Sequence, residues 1–481
     1  MRVRASRVVS TWLIAGLWVA AAGAAEEAPL ADAMKRGDRP AVEALLKKGV
    51  PVDASNPDGS TALLWAAHRN DLQAIDLLLR AGAKPNTANA LGVTPLSVAC
   101  TNANAFMVSR LILGGANANI ALRSGETPLM TCVHTGNVEA VTRLLAAGAD
   151  VNAVEPWQQQ TALMWAAAQE HTAVVETLLA GGAKVGLVSK SGFTALHFAA
   201  RSGALDAAKL LMKAGAKVNE TAKDGSTPLL VSTVRGNVPV ALYLLDEGAD
   251  PNIETAGFTP LHWAAGTWET RITGPFGYVD PMGGITDRSQ KIALIKTLLA
   301  KGAKPDAQTT RNPPRFGPTS FRMPLTGATP FFLASYSCDI EVMRLLVAGG
   351  ANPTLPTRNK TTPLMAAAGL NRPQGESPVT EEIAIEAVKV ALELGNNAAA
   401  PNDLGENVLH GVAYFGWNKL MQLLVEKGAP INAVTKQGLT PYIIASGHGD
   451  RAVTTTVVYH KDTAEWLLKM GADPKLGIPI F

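Results

Sequence analysis

The residues that come nearest to a reactive centre stand near the carboxy terminus: His448, Asp450, His460 and Asp462. Two imidazoles and two carboxylates can supply the three or four ligands that zinc takes, and with them a metal-dependent activity. The competing reading is structural, because Gly449-Asp450 falls where a helix-to-helix turn is expected. His197, His262 and His410 each stand fourth in a segment that opens with Thr or Asn, a helix-capping residue. Their rings are expected to bond neighbouring capping and backbone groups, so they read as structural. No Gly-x-Ser-x-Gly elbow, phosphate-cradling Gly-Lys-Ser/Thr loop, Cys-x-x-Cys-His or His-Glu-x-x-His occurs. The reading is therefore of a chain with no catalytic residue and no cofactor, not an enzyme.

A second group of residues suits recognition rather than reaction. Residues 266–327 hold Trp268, Phe276, Tyr278, Phe316 and Phe321, with nine Lys/Arg against four Asp/Glu. Aromatic and arginine side chains combine large buried area with directional bonding, which is why they dominate protein interfaces. Trp268, Arg271, Phe276, Tyr278, Arg311, Arg315, Phe316 and Arg322 are the expected partner-binding residues, and their charge favours an acidic protein surface. The competing expectation is that these aromatics pack on the chain's own flank. Pro313-Pro314 and Pro318 would stiffen the segment and lower its ordering cost on binding.

The elements that position these residues are a repeat. Thr followed by Pro or Ala and an apolar residue recurs at Thr61, Thr94, Thr127, Thr161, Thr194, Thr227, Thr259, Thr329, Thr362 and Thr440, mostly 33 residues apart, with weaker copies at Ala28 and Asn407. Thr caps a helix, and Pro at its first position loses no hydrogen bond. A short Ala-rich helix follows, then a second helix with paired leucines such as Leu144-Leu145, closed by a left-handed Gly. Met130, Met164 and Met365 take the His position in other copies and read as core. Asp58-Gly59 and Asp224-Gly225 then turn the chain into the next copy. One such copy cannot bury its own apolar face, so copies must stack.

The pattern, seen at its fullest in "GADPNIETAGFTPLHWAA", resembles the ankyrin repeat. That resemblance implies an all-α solenoid of about twelve helix-turn-helix units with β-hairpin fingers, and a protein-interaction role. Gly186 in place of Asn, the missing turn Gly at Gln158 and Asn407 in place of Thr depart from the family pattern, and local loosening is expected there. Larger departures are insertions in units 8, 10 and 12: Thr259 to Gly302 spans 43 residues against 21 from Thr61 to Gly82. Exposed insertions cost little loop entropy, so they are tolerated whether or not they are used. The expected organisation is 1–24 signal peptide, 25–265 regular repeats, 266–327 insertion-bearing repeat with a long finger, and 328–481 carboxy-terminal repeats with loop insertions and an end cap.

Arg2, Arg4 and Arg7 precede an apolar stretch from Trp12 to Ala22 and a small-residue cleavage site near Ala24, the pattern of a Sec-type signal peptide. Retention of this stretch as an anchor is the alternative. Its removal cancels the formal net charge of +3, so charge supports neither nucleic-acid nor membrane binding by the mature chain. Only Cys100, Cys132 and Cys338 occur, which is no disulfide framework. Cys100 and Cys132 fall at Ala positions of sister copies and read as buried small side chains, with stacked helices about 10 Å apart placing them beyond disulfide reach. The sequence thus reads as an exported bacterial scaffold, periplasmic or secreted, monomeric and bound to a protein partner. The rivals are a metal-dependent or enzymatic activity at the carboxy-terminal insertion, or a secreted effector.

Overall fold

The computed structural model describes residues 28–266, 284–311, 325–372, 379–448 and 459–477. The chain forms two compact units, one up to Arg123 and one from Ser124 onward. Both are built from pairs of short helices, such as Ala62–His68 with Leu72–Arg80 in the first and Ala195–Ser202 with Leu205–Lys213 in the second. Among the described residues all the regular structure is helical.

Capping sets where the first helix of each pair begins. The Thr61 hydroxyl accepts the Leu64 N–H at 3.3 Å, and Thr329 accepts that of Phe332 at 3.1 Å. The helix Ala62–His68 then buries Leu63, Leu64, Ala66 and Ala67, whose small members let neighbouring helices approach closely. Many second helices begin on Asp or Asn: Asp71 accepts from Ala74 N–H and Asn104 from Met107 N–H, each at 3.0 Å. They bury one narrow stripe, Ala74, Ile75 and Leu78 in the helix Leu72–Arg80.

The end of the first helix is completed by another part of the chain. Its last carbonyls have no partner within the helix. Asn102 donates to the Ala67 carbonyl at 2.9 Å, His171 to Val133 at 2.9 Å, Ser202 to Ala167 at 3.0 Å, and Asn237 to Ala200 and Arg201 at 2.9 and 3.0 Å. In each case the donor belongs to the repeat that follows.

The fingers differ from the expected β-hairpins. Among the described residues they are tight turns, with isolated bridges at Ser55–Thr61 and Val154–Thr161 in place of strands. Neighbouring fingers share a backbone bond, as from Lys223 N–H to the Ser191 carbonyl at 3.0 Å and from Lys436 N–H to Leu404 at 2.8 Å. Legs of one or two paired residues are too short to form a ladder. Two of the three sequence departures keep their geometry. Where the turn Gly is missing, the Glu155 carboxylate gathers the N–H groups of Trp157, Gln158 and Gln160 at 2.7 to 3.0 Å while Gln159 takes a φ of 54°. Asn407 caps through Leu409 N–H at 3.0 Å. Gly186 does lose a link, because Asn152 bridges two repeats by bonding the Gly182 carbonyl and Lys184 N–H at 3.2 and 2.8 Å.

Cys100 and Cys132 are each disulfide-bonded, and Cys338 is the free thiol. Both are buried, as expected, but the expectation that they lie beyond disulfide reach is corrected. Helix-axis spacing is a poor guide to the distance between two Cα atoms, and a disulfide needs only about 5.5 Å between them. Thiol titration of the unfolded chain should count one free thiol before reduction and three after it.

The three capping histidines are buried and neutral. Nδ1 of His262 accepts the Thr259 N–H at 3.1 Å, which makes Nε2 the protonated nitrogen that donates to the Ala307 and Ala328 carbonyls at 2.8 and 3.2 Å. His410 repeats the arrangement with Asn407 N–H at 3.0 Å and the Leu439 carbonyl at 3.4 Å. Burial pushes the pKa of both down to about 4 from the ordinary 6.5, against the carbonyl bonds that raise it. As pH falls from about 6.5 to about 4, the unfolded chain binds protons that the folded chain refuses, so stability falls across that window. The slope is about 1.4 kcal/mol per pH unit for each histidine. Chemical unfolding followed by circular dichroism at pH 7, 5.5 and 4.5 should show this loss, and His262→Gln should flatten it.

Candidate interaction surface

Two surfaces carry side chains that are not consumed by the repeat. One is the finger side of the first helices in the unit from Ser124 onward. Trp165 bonds Gln160 through its indole N–H at 2.7 Å, and the His134 ring packs 4.3 Å from it. In the next repeat Phe193 and Phe198 meet edge to face at 5.9 Å, and the Arg201 guanidinium lies 5.1 Å over the Phe198 ring. Trp157, at the tip of its finger, is 71% exposed.

The other surface is the edge formed by the turns between first and second helices in the later repeats. Earlier turns on this edge of the same unit are polar, such as Thr135-Gly136-Asn137 and Gln169-Glu170-His171. In the later ones Phe415 and Trp417 stack at 4.3 Å, Tyr414 meets Phe415 edge-on at 5.4 Å, and the Arg372 guanidinium sits 5.3 Å over Tyr336. Arg372 is 2% exposed and reaches the carbonyls of Tyr336 and Ala366 and the Cys338 sulfur, the last two at 3.1 and 3.4 Å. Burial pushes the Cys338 thiol up, and the guanidinium only partly offsets this, so the sulfur is held as a thiol.

An ionic network with a buried pair, Lys291 and Asp339, at its centre marks the base of the longest break in the repeat. Lys291 donates to the Gly266 carbonyl and to Asp339, both at 3.2 Å. Arg288 forks onto Asp339 and Glu341, with bonds of 2.7 and 2.8 Å from one nitrogen. Burial works against the Asp339 carboxylate, but Arg288 and Lys291 outweigh it and hold its pKa below the ordinary value. The second helix here, Arg288–Ala300, has 13 residues where most have nine, and its added turn is what brings both cations to Asp339. Gly284 N–H meets the Val234 carbonyl at 3.1 Å, completing the previous first helix in place of a side chain. The network escaped the sequence reading because Asp339 looks like any second-helix cap. The signal available was Lys291, the one cation in the buried stripe Lys291, Leu294, Ile295 and Leu298.

Of the expected partner-binding residues, Trp268, Arg271, Phe276, Tyr278, Arg315, Phe316 and Arg322 lie outside the described residues. Arg311 is exposed and donates to the Thr255 carbonyl, lying against Gly257 of the preceding finger. Among the residues weighed as metal ligands, Asp450 also lies outside the description, and His448 ends the short π-helical turn Ile444–His448. The His460 Nε2 donates to the Tyr414 carbonyl at 3.0 Å, and a Cβ on Gly416 would collide with its ring. That is the post His171 holds over Gly136, where Nδ1 meets the Val133 carbonyl at 2.9 Å. Asp462 stands in the first turn of the helix Lys461–Lys469. Among the described residues no group of three or more His, Cys, Asp or Glu side chains is placed to hold a metal.

Asp339→Asn keeps the cap to Val342 N–H but strands Lys291, so it should lower the stability of this region by about 3 kcal/mol. Glu341→Gln, at an exposed site, should change it by less than about 0.5 kcal/mol in the same chemical unfolding assay.

Comparison with known proteins agrees with the repeat geometry. Family profiles for ankyrin repeats match residues 30–79, 69–155, 153–222, 224–256, 326–358 and 380–477. No curated protein matches the chain. The chain is similar to the ankyrin repeat domain of Bcl-3, described as a unique member of the IkappaB protein family, at 29% identity over 46% of this chain and 99% of that one, with a TM-score of 0.41. Among the described residues no helix is long and apolar enough to cross a membrane. Ankyrin repeats are typically non-enzymatic scaffolds for protein partners. Capping Thr, Ala-rich first helix, Leu-rich second helix and turn Gly recur in phase where the family profiles match, and the chain belongs to the ankyrin-repeat family.

Proposed function

We propose that this chain is an exported bacterial scaffold that holds a protein partner of acidic surface, and that the segments interrupting the repeat around residues 267–283 and 312–324 carry much of the grip. The observation behind this reading is compositional. Trp268, Phe276, Tyr278 and Phe316 lie among Arg271, Arg311, Arg315 and Arg322 in a chain whose other residues nearly balance in charge. The aromatic turn edge, with Tyr336, Tyr414, Phe415 and Trp417, adds apolar area on the side from which the 267–283 segment departs. Binding is by a preformed surface, and no covalent chemistry is needed.

Export is part of the proposal. The basic stretch, apolar stretch and small-residue site in residues 1–24 support it. So do the disulfide-bonded Cys100 and Cys132, which suit an oxidising compartment such as the periplasm or the cell exterior. The mature chain acts as a monomer in this reading.

The test is affinity capture from the periplasm and medium, with the captured polypeptide identified by mass spectrometry. A variant in which a short Gly-Ser link joins Gly266 to Gly284 should keep the fold and lose at least nine-tenths of the capture. Undiminished capture by that variant would move the binding site to the finger side of the helices.

A further inference from the structure

The finger side of the second compact unit holds a charge arrangement that the repeat does not require. Arg201 stands in the last turn of the helix Ala195–Ser202, and Arg235 caps the following first helix, Pro228–Val234. Among the described residues no carboxylate pairs with Arg201, and Arg235 acts on it as a like charge. Cations gain from the negative end of a helix. Here that gain is already taken, because Asn237 bonds the Ala200 and Arg201 carbonyls and the Ser202 hydroxyl bonds those of Phe198 and Ala199. Stacking on Phe198 occupies one face of the Arg201 guanidinium at 5.1 Å, while the residue remains exposed. A stacked guanidinium of this kind presents its N–H fork edge-on, the geometry that binds a carboxylate through two bonds. Burial and the like charge of Arg235 both weaken the protonated form of Arg201, and the attraction of an anion would offset them.

An apolar seat lies one repeat away. Trp165 occupies the same place in its helix as Phe198 does in the next, with its indole N–H already bonded to Gln160 and its ring partly exposed. Adjacent packed helices lie about 10 Å apart. An extended polypeptide covers that distance in about three residues, at roughly 3.3 Å each. We propose that Arg201, seated on Phe198 beside Arg235, reads an acidic side chain of an extended polypeptide whose apolar side chain three positions away rests on Trp165. The inference builds on the scaffold reading and adds to it a partner chemistry and a site distinct from the inserted segments.

The experiment uses the full chain and fluorescein-labelled Gly-Ser-Leu-Ser-Ser-Glu-Ser-Gly, followed by fluorescence anisotropy at low and moderate salt. The wild type should bind this peptide at least tenfold more tightly than the version with Gln for Glu, and the difference should shrink as salt rises. Arg201→Ala should lose at least tenfold, and Arg201→Lys, which keeps the charge without the fork, should lose severalfold. Peptides with Leu and Glu adjacent should bind more weakly. Unchanged melting of Arg201→Ala would show that the loss is not one of folding. No binding by the wild type, equal affinity of Arg201→Ala, or equal affinity for the Gln peptide overturns the assignment. Such a failure with partner capture intact leaves the scaffold reading standing. Lost capture with peptide binding intact removes only the role of the inserted segments.

Discussion

The last carbonyls of each first helix find no partner inside that helix, and the residue that answers them usually belongs to the repeat that follows. Asn102, His171, Ser202, Asn237, Arg372 and His460 all perform this service with different chemistry, from amide to imidazole to guanidinium. Some of these carbonyls also accept an N–H from the turn of their own repeat, as Ala67 does from Asn70 and Val133 from Gly136, so the neighbour supplies their second bond and a repeat's polar groups are fully satisfied only with it in place. Fingers impose the same condition through shared backbone bonds, and the buried histidines impose it by donating across to the next turn. Stability in such a structure is a sum over neighbours.

That constraint explains where irregularity is tolerated. It touches the end of the first helix and the start of the second, and leaves the length of chain between them free. At the longest break the condition is met by substitution: Gly284 N–H serves the Val234 carbonyl, and Lys291 serves the Gly266 carbonyl. Lys291 brings a charge into the interior, Asp339 compensates it there, and Arg288, which shares Asp339, is itself also paired with Glu341. A buried ion pair adds little net stability over an apolar pair, but removing one member is costly. The inserted segment is thereby anchored at both ends by contacts that do not depend on its own sequence.

The same reasoning separates residues that build the repeat from those available for a partner. The ring nitrogens of His197, His262 and His410, and Nε2 of His460, are engaged in caps or helix ends. Arg311 is drawn to the preceding finger, and Arg372 is enclosed among carbonyls and a thiol. Arg201 differs from these, since its neighbours provide an aromatic seat and a like charge.

Much was legible in the amino-acid sequence because the repeat is specified locally. Thr caps, Pro at the first turn, paired leucines and turn glycines act over a few residues, and the helices begin where they predict. Gln159 in a left-handed turn was not legible, since its conformation is stabilised by Glu155 gathering three N–H groups around it. Nor were the disulfide-bonded state of Cys100 and Cys132, the ionic network at Asp339, or the absence, among the described residues, of a carboxylate paired with Arg201. Local capping and periodicity are properties of a short stretch of chain and can be read from it. Which side chain completes a helix end in another repeat, and which charge is left facing its like, is decided only when separate repeats are packed together, because those energies arise from distances between groups far apart in sequence.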